Sequence, residues 1–187
     1  MRRIAPLPGG LAARLRSGCA VQTLAQVVEE LVANSLDAGA SSVMVELTVG
    51  AGQLAASVHD DGAGIAGADF ARLAERSCTS KLRSAAELDA GVASLGFRGE
   101  ALASIADCSV LEVTSKAARA FETHAKLLRG GDVLKQGLAL QQRERQGTSV
   151  VVRDFLFNRP INRRALLEAG CGPADWRSHC SPDKGLL

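Results

Sequence analysis

The alternation of apolar and polar residues predicts a helix followed by a strand hairpin in the first third of the chain. Apolar side chains recur at helical spacing within residues 22–38, and Gly39 follows as a suitable helix end. Residues 43–49 then place Val or Leu at every second position, which is the period of a strand. Glycines at 50 and 52 offer a turn into a second strand, which ends at Asp60.

The remaining pattern predicts more strands and two shorter helices. Strands are expected at 109–115, 121–128 and 148–155, and helices at 68–77 and in the segment GEALASIAD, behind its opening glycine. Residues 78–95 are rich in Ser, Ala, Asp and Gly and predict a long loop, of the kind that often forms a functional lid. This order predicts an α+β sandwich, with helices covering one face of a mainly antiparallel sheet.

Composition narrows the class of protein. The 187 residues suit one domain, and with 47% apolar but only 3% aromatic residues the core must be aliphatic. A formal charge of +2 does not indicate a nucleic-acid binder. Six Arg within residues 143–164 form either a weak basic patch or an ordinary solvated surface. Five scattered cysteines suggest neither a zinc site nor disulfides, and no apolar run is long enough to cross a membrane.

The first predicted helix carries a polar face. Glu30, Asn34 and Asp37 are spaced four and three apart, so their side chains share one side of the helix. Buried polar groups cost a few kcal/mol each unless they find partners. This face is therefore either solvated or directed at a ligand that supplies those partners.

Three further segments accompany this helix, namely HDDGAGI at 59–65, TSK at 79–81 and GFRGEAL at 96–102. In this order and spacing, the four segments resemble the ATP-binding signature of MutL-type mismatch-repair proteins. These belong to the superfamily of gyrase, Hsp90 and histidine-kinase ATPase domains. The resemblance extends from about Leu11 to Phe157. It implies the Bergerat (GHKL) fold, a two-layer sandwich of helices on a mainly antiparallel mixed sheet, and a Mg²⁺-dependent ATPase.

The resemblance assigns roles to the helix face. Glu30 is expected to polarise the attacking water, and Asn34 to coordinate Mg²⁺ through its amide oxygen. Glu29 is the rival base, but it lies about 100° around the helix from Glu30, and Glu30 is favoured. Asp37 either tunes the site or anchors the helix.

The segment HDDGAGI is expected to hold the base. By resemblance Asp60 accepts the adenine amino group, with Gly62, Gly64 and Ile65 completing the turn around the base. The alternative is an acidic glycine turn without a ligand. The family usually has Asn where this chain has Asp61, and the added negative charge is expected to weaken nucleotide binding.

Of the other two segments, GFRGEAL is expected to contact the phosphates, and by resemblance TSK lies in the lid and contacts the nucleotide. In GFRGEAL, two glycines before a helix direct backbone NH groups at an anion. The nucleotide-binding positions implied by resemblance are Thr79, Ser80, Lys81, Gly96, Phe97, Arg98, Gly99, Glu100 and Thr148. Lys81 could equally be a surface cation, and Thr148 could simply begin a strand.

The resemblance also sets expectations for the whole protein. Residues 1–165 are predicted to form the ATP-binding domain and 166–187 an atypical, disordered tail, with the second MutL domain and the C-terminal dimerisation domain absent. The motifs LRSG and QVVEEL favour the MutL-gamma branch, associated with meiosis. Slow ATP hydrolysis, lid closure, heterodimerisation with another MutL-like subunit, weak DNA contact and a nuclear location are expected.

Two alternatives remain at this point. The chain could be an ATP-binding module without effective turnover, or a kinase or chaperone ATPase, against which GFRGEAL argues. An acid-free, Arg-containing start over the first 28 residues leaves an organelle transit peptide as a further alternative to the nucleus.

Overall fold

The computed structural model of the protein describes residues 21–76, 78 and 99–169. The first helix, α1 (Leu24–Asp37), begins behind a capping box. Thr23 Oγ1 accepts from the backbone NH of Gln26 at 3.2 Å, and Gln26 Oε1 accepts from the NH of Thr23 at 3.2 Å. The helix predicted at 22–38 is confirmed. It begins at Leu24 because the capping pair satisfies backbone NH groups that the first turn leaves without partners.

The other elements of the described residues are the six strands of one sheet, a 3-10 helix and two further α-helices. Their bounds are β1 (Val43–Gly50), β2 (Gln53–Asp60), a 3-10 helix (Gly67–Ala71), α2 (Ala101–Asp107), β3 (Val110–Lys116), β4 (His124–Arg129), β5 (Asp132–Leu138), β6 (Gly147–Arg153) and α3 (Pro160–Glu168). The strand order is β1-β2-β6-β3-β4-β5, and every pairing among the described residues is antiparallel. The predicted α+β class is confirmed. The sequence does not reveal that β6 inserts between β2 and β3.

The core lies between the sheet and its helices. Two apolar rows cross the central strands, Ala56-Val152-Leu111 and Val58-Val150-Val113. All three helices contribute to the same apolar cluster, and Phe70 and Phe155 are the aromatic side chains fully buried among the described residues. The interior is otherwise aliphatic, as the composition predicts. Two residues further along each of the three strands, on the same face, the buried side chains become polar, namely Asp60, Thr148 and Ser115.

The helix predicted at 68–77 is wrong in type and length, because within residues 67–76, which the structure describes, the helical residues are Gly67–Ala71 and the helix is 3-10. Lys126, on β4, is 2% exposed, and its Nζ donates to the carbonyl oxygens of Phe70, Ala71 and Leu73 at 2.9 to 3.0 Å. An α-helix would use these carbonyls as acceptors for its next turn. The buried ammonium takes them instead, and its desolvation lowers the pKa of Lys126.

The C-terminal part differs from expectation in two places. Strand β5 lies at the sheet edge with all its residues exposed, so no alternation of apolar residues marks it in the sequence. Helix α3 begins with Pro160 in its first turn and continues to Glu168, past the domain boundary predicted at 165. Arg163 ties α3 to the sheet by donating to the carbonyls of Phe155 and Gly52. Residues 170–187 of the predicted tail lie outside the described residues, as does the predicted loop apart from Cys78.

Candidate nucleotide site

A buried polar row, defined here as Asp60, Thr148 and Ser115, crosses three neighbouring strands at one end of the sheet. The Asp60 carboxylate is 8% exposed. Its Oδ1 accepts from the backbone NH groups of Gly62 and Thr148, both at 3.0 Å. Its Oδ2 accepts from Ser35 Oγ on α1 at 2.9 Å. Burying a carboxylate is costly, and these three donors offset part of that cost.

Ser115 connects the row to the turn that follows β2. It is fully buried, and its Oγ accepts from the backbone NH of Ile65 at 2.9 Å. The same oxygen lies 3.0 Å from the carbonyl oxygen of Gly147 and 2.9 Å from Thr148 Oγ1. Ile65, Thr148 and Asp60, which the sequence placed in the site, are therefore brought together, although Ile65 takes part through its backbone.

The glycines of this turn are required by neighbouring protein backbone. Gly64 has φ +71°, and a Cβ there would lie 2.1 Å from the carbonyl oxygen of Lys116 at the end of β3. A Cβ on Gly62 would lie 3.0 Å from Ala38, which ends α1. The turn therefore packs between α1 and β3, and this contact, independent of any ligand, already explains both glycines.

Asp61 faces the loop before β1. Its Oδ1 accepts from the backbone NH groups of Ser41 and Ser42 at 2.7 and 2.8 Å. The bonds from Ser42 and Ser41 hold the pKa of the Asp61 carboxyl below its usual value. The carboxylate therefore has a structural role here, as an acceptor for two loop amides.

Asp61→Asn is expected to change how the free energy of unfolding depends on pH in the acidic range. Because the folded-state pKa of Asp61 is depressed, its contribution is fully present above the unfolded value of about 3.9 and is lost as pH falls through the lower folded value. Asn keeps an oxygen acceptor but does not titrate. Urea unfolding from pH 6 down to pH 2 should show the wild-type advantage shrinking below about pH 4. A difference between the two proteins that stays constant with pH would contradict this assignment.

The polar face of α1 lies beside the row. Leu24, Val27, Leu31 and Ser35 are the buried positions of α1. Asn34 and Asp37 are half-buried and Glu30 is exposed, all within an arc of about 60° on one flank. Glu29 is also exposed but lies about 140° from Asn34. Ser35, the residue after Asn34, bonds the Asp60 carboxylate and so joins α1 to the polar row.

The phosphate segments are only partly described. Gly99 has φ +63°, a left-handed conformation that glycine tolerates, and Glu100 precedes α2 with its carbonyl accepting from Ser104 at 2.8 Å. Six other predicted nucleotide contacts lie outside the described residues, namely Thr79, Ser80, Lys81, Gly96, Phe97 and Arg98.

Sequence reasoning missed three residues of the site, namely Ser35, Ser115 and Arg143. Arg143 Nη2 donates to the carbonyl oxygen of Asp60 at 3.1 Å, and its Nη1 donates to Ser149. Its backbone NH donates to Thr123 Oγ1 at 2.8 Å. Arg143 therefore fixes the end of β2, whereas the sequence showed only a weak basic patch around it. A usable signal for Ser35 is its position four residues after Leu31, which places a hydroxyl on the apolar face of α1.

The opposite face of the sheet carries a separate groove of about 350 Å³. Its lining includes Glu46, Ser57, Val151 and Arg153, none of which belongs to the polar row. Among the described residues, no group of three His, Cys, Asp or Glu could hold a metal ion, and no helix is long and apolar enough to span a membrane.

Comparison with known proteins identifies the family. Residues 22–154 match the family described as histidine kinase-, DNA gyrase B- and HSP90-like ATPase. The chain belongs to this family. It is 42% identical over 89% of its length to the DNA mismatch repair protein MLH3 of Arabidopsis thaliana, covering 14% of that protein. It is 41% identical over 86% of its length to the DNA mismatch repair protein MutL of Shewanella sediminis, covering 25% of it.

A solved structure agrees with these matches. The ATPase domain of Aquifex aeolicus MutL complexed with ADP superimposes with a TM-score of 0.58 at 28% identity, covering 78% of this chain and 48% of that one. The predicted resemblance to MutL-type ATPase domains is thereby confirmed, and so is the fold class. The chain spans a quarter or less of the curated relatives named above.

Proposed function

We propose that this domain binds ATP with the adenine amino group on Asp60 and hydrolyses it slowly, with Glu30 as the base. The observation that carries the proposal is the buried Asp60 carboxylate. A carboxylate offers about four acceptor positions, and protein donors occupy three at Asp60. Oδ2, which receives only Ser35 among these bonds, retains room for one donor from a base.

The flank of α1 that carries Glu30 and Asn34 would provide the side chains that act at the phosphates. Mg²⁺ usually binds few protein oxygens, retains several waters and takes its other ligands from phosphates. The amide oxygen of Asn34 fits that requirement. Exposed Glu30 can contact a water, and transfer of a water proton to its carboxylate would assist attack on the γ-phosphorus. Asp37 either tunes this site or anchors α1. Gly99 and Glu100, together with Gly96, Phe97 and Arg98, would contact the phosphates.

The relatives support a wider role for this domain. Because the relatives named above are DNA mismatch repair proteins, we place this chain in DNA repair, and its likeness to an MLH3 favours the meiotic branch and the nucleus. Closure of the segment carrying Thr79, Ser80 and Lys81 on ATP would drive association with another MutL-like subunit, with DNA bound weakly by this part. An ATP-binding module without effective turnover is the second candidate.

Asp60→Asn is expected to weaken ADP binding by about 1 to 3 kcal/mol, measured by calorimetry. The Asn amide oxygen can still accept from Gly62 and Thr148. Ser35 can turn its proton to the carbonyl oxygen of Leu31 at 3.2 Å, so the fold is retained. The amide nitrogen then presents a donor where the adenine amino group also needs to donate.

Asp61→Asn is the matched control, because it makes the same chemical change at the next, exposed residue. It should leave ADP affinity unchanged or raise it slightly, since it removes a negative charge. Equal losses in both variants, or no loss in Asp60→Asn, would contradict the assignment of Asp60 to the base.

A further inference from the structure

The contact between Ser115 and Thr148 carries information about hydrogen-bond direction in the polar row. Their oxygens are 2.9 Å apart, and geometry alone allows either hydroxyl to donate. Ser115 Oγ also accepts from the NH of Ile65 at 2.9 Å and lies 3.0 Å from the carbonyl oxygen of Gly147. A carbonyl can only accept, so that last contact needs the Ser115 proton.

Counting protons selects one arrangement. If Ser115 donates to Gly147, then Thr148 must donate to Ser115, and all three contacts are hydrogen bonds. If Ser115 donated to Thr148 instead, no proton would remain for its contact with the Gly147 carbonyl. That contact would then not be a hydrogen bond, although Ser115 is fully buried. Buried polar groups are nearly always paired, and an unpaired one is costly, so the first arrangement is favoured. Thr148 then has only lone pairs left for a ligand.

Resting on the proposed function, we propose that Ser115 is a positioning residue that sets base specificity by holding the Thr148 hydroxyl as an acceptor. Asp60 is also an acceptor, and the single proton of Ser35 lies between Asp60 Oδ2 at 2.9 Å and the Leu31 carbonyl at 3.2 Å. The side chains of the polar row itself therefore offer a ligand acceptors alone. They favour a purine with a 6-amino group.

Inosine nucleotides are the matched probe for this arrangement. Hypoxanthine carries an oxo oxygen in place of the 6-amino group and a proton on N1. Its oxo oxygen would face the lone pairs of Asp60 and Thr148. Without the Ser115 hydroxyl, the Thr148 proton can rotate and donate to that oxygen.

The test compares the dissociation constants of ADP and IDP, neither of which is an ATPase substrate. In Ser115→Ala the preference for ADP over IDP should fall by roughly 3- to 10-fold, the size of one net hydrogen bond, mainly because IDP binds more tightly. Thr114→Ala is the control. Thr114 precedes Ser115 on β3 and is directed to the opposite face of the sheet, so its removal should leave the ratio unchanged.

A double-mutant cycle separates this role from general damage to the site. Ser115→Ala should not alter the ADP to IDP ratio in a Thr148→Val background, which has no hydroxyl to reorient. An unchanged ratio in Ser115→Ala alone, or the same change in both backgrounds, overturns the inference. If Ser115→Ala fails to fold, Thr148→Val alone should lower the ratio by removing the opposing lone pairs, and an unchanged ratio there overturns it. Absence of ADP binding by the wild-type chain would overturn the proposed function itself.

Discussion

Replacing Glu30 with Gln is expected to reduce ATP hydrolysis by roughly 100- to 10,000-fold, the range for losing a general base. Gln keeps the size and polarity of the side chain but cannot take the proton of the attacking water. Glu30 is exposed on α1 and contributes nothing to the apolar core, so stability should hardly change. ADP affinity should also be retained, because Asp60 and the polar row are untouched. Phosphate release under single-turnover conditions measures the effect.

Glu29→Gln is the matched control for that experiment. It removes the same charge from the residue before Glu30 on α1. Glu29 is also exposed but lies on a different side of the helix from Asn34. Its turnover should stay within about threefold of wild type, as expected when no transition-state contact is lost. Turnover unaffected by Glu30→Gln, or lost in Glu29→Gln, would remove Glu30 from its assigned role.

Gly64→Ala is expected to destabilise the fold by about 3 to 5 kcal/mol, a loss that few single substitutions reach. Two effects combine at this residue. Its φ of +71° is costly for alanine, and the added Cβ would lie 2.1 Å from the carbonyl oxygen of Lys116. Moving the turn away from β3 would also disturb the hydrogen bond from Ile65 to Ser115, so nucleotide affinity should fall as well. Urea unfolding gives the free-energy change.

Gly39→Ala isolates the steric part of that loss. Gly39 has a φ of +70°, nearly that of Gly64, but a Cβ there would meet nothing within 4 Å. Its substitution should therefore cost only the conformational penalty, about 1 to 2 kcal/mol. If both variants lose the same free energy, the close packing of Gly64 against β3 is not what requires glycine at this position.

Local patterns were enough to predict much of the fold. The helical spacing of apolar residues before Gly39 and the period-two alternation of β1 and β2 depend on near neighbours in sequence. Helix α1 and strand β2 each bury one apolar face, whereas β1 lies at the sheet edge and has no buried residue. The face shared by Glu30 and Asn34 could be predicted for the same reason, since helical geometry alone fixes it.

The polar row could not be predicted as a unit. Thr148 forms hydrogen bonds with Asp60, 88 residues away in the sequence, and with Ser115, 33 residues away. These contacts exist only because β6 inserts between β2 and β3. Alternating apolar positions mark a strand but do not specify which strand it pairs with. Asp60 and Thr148 were therefore recognised from family resemblance, and Ser115, which belongs to no quoted motif, was missed.

The incorrect helix prediction at 68–77 has a similar cause. Its sequence permits an α-helix, but Lys126 binds three of its backbone carbonyls from a strand more than 50 residues later. Tertiary contacts of this kind override local propensity. Arg143 was missed because its role depends on contacts with Asp60 and Thr123 made after folding.

A structure of this chain with Mg²⁺ and a nonhydrolysable ATP analogue tests the central claim most directly. The account predicts the adenine amino nitrogen about 3 Å from Asp60 Oδ2, with the triphosphate along the flank of α1 that carries Asn34. Binding of the base elsewhere, for example in the groove beside Glu46 and Arg153 on the other face of the sheet, would contradict it. So would a polar row without nucleotide at a saturating concentration of the analogue.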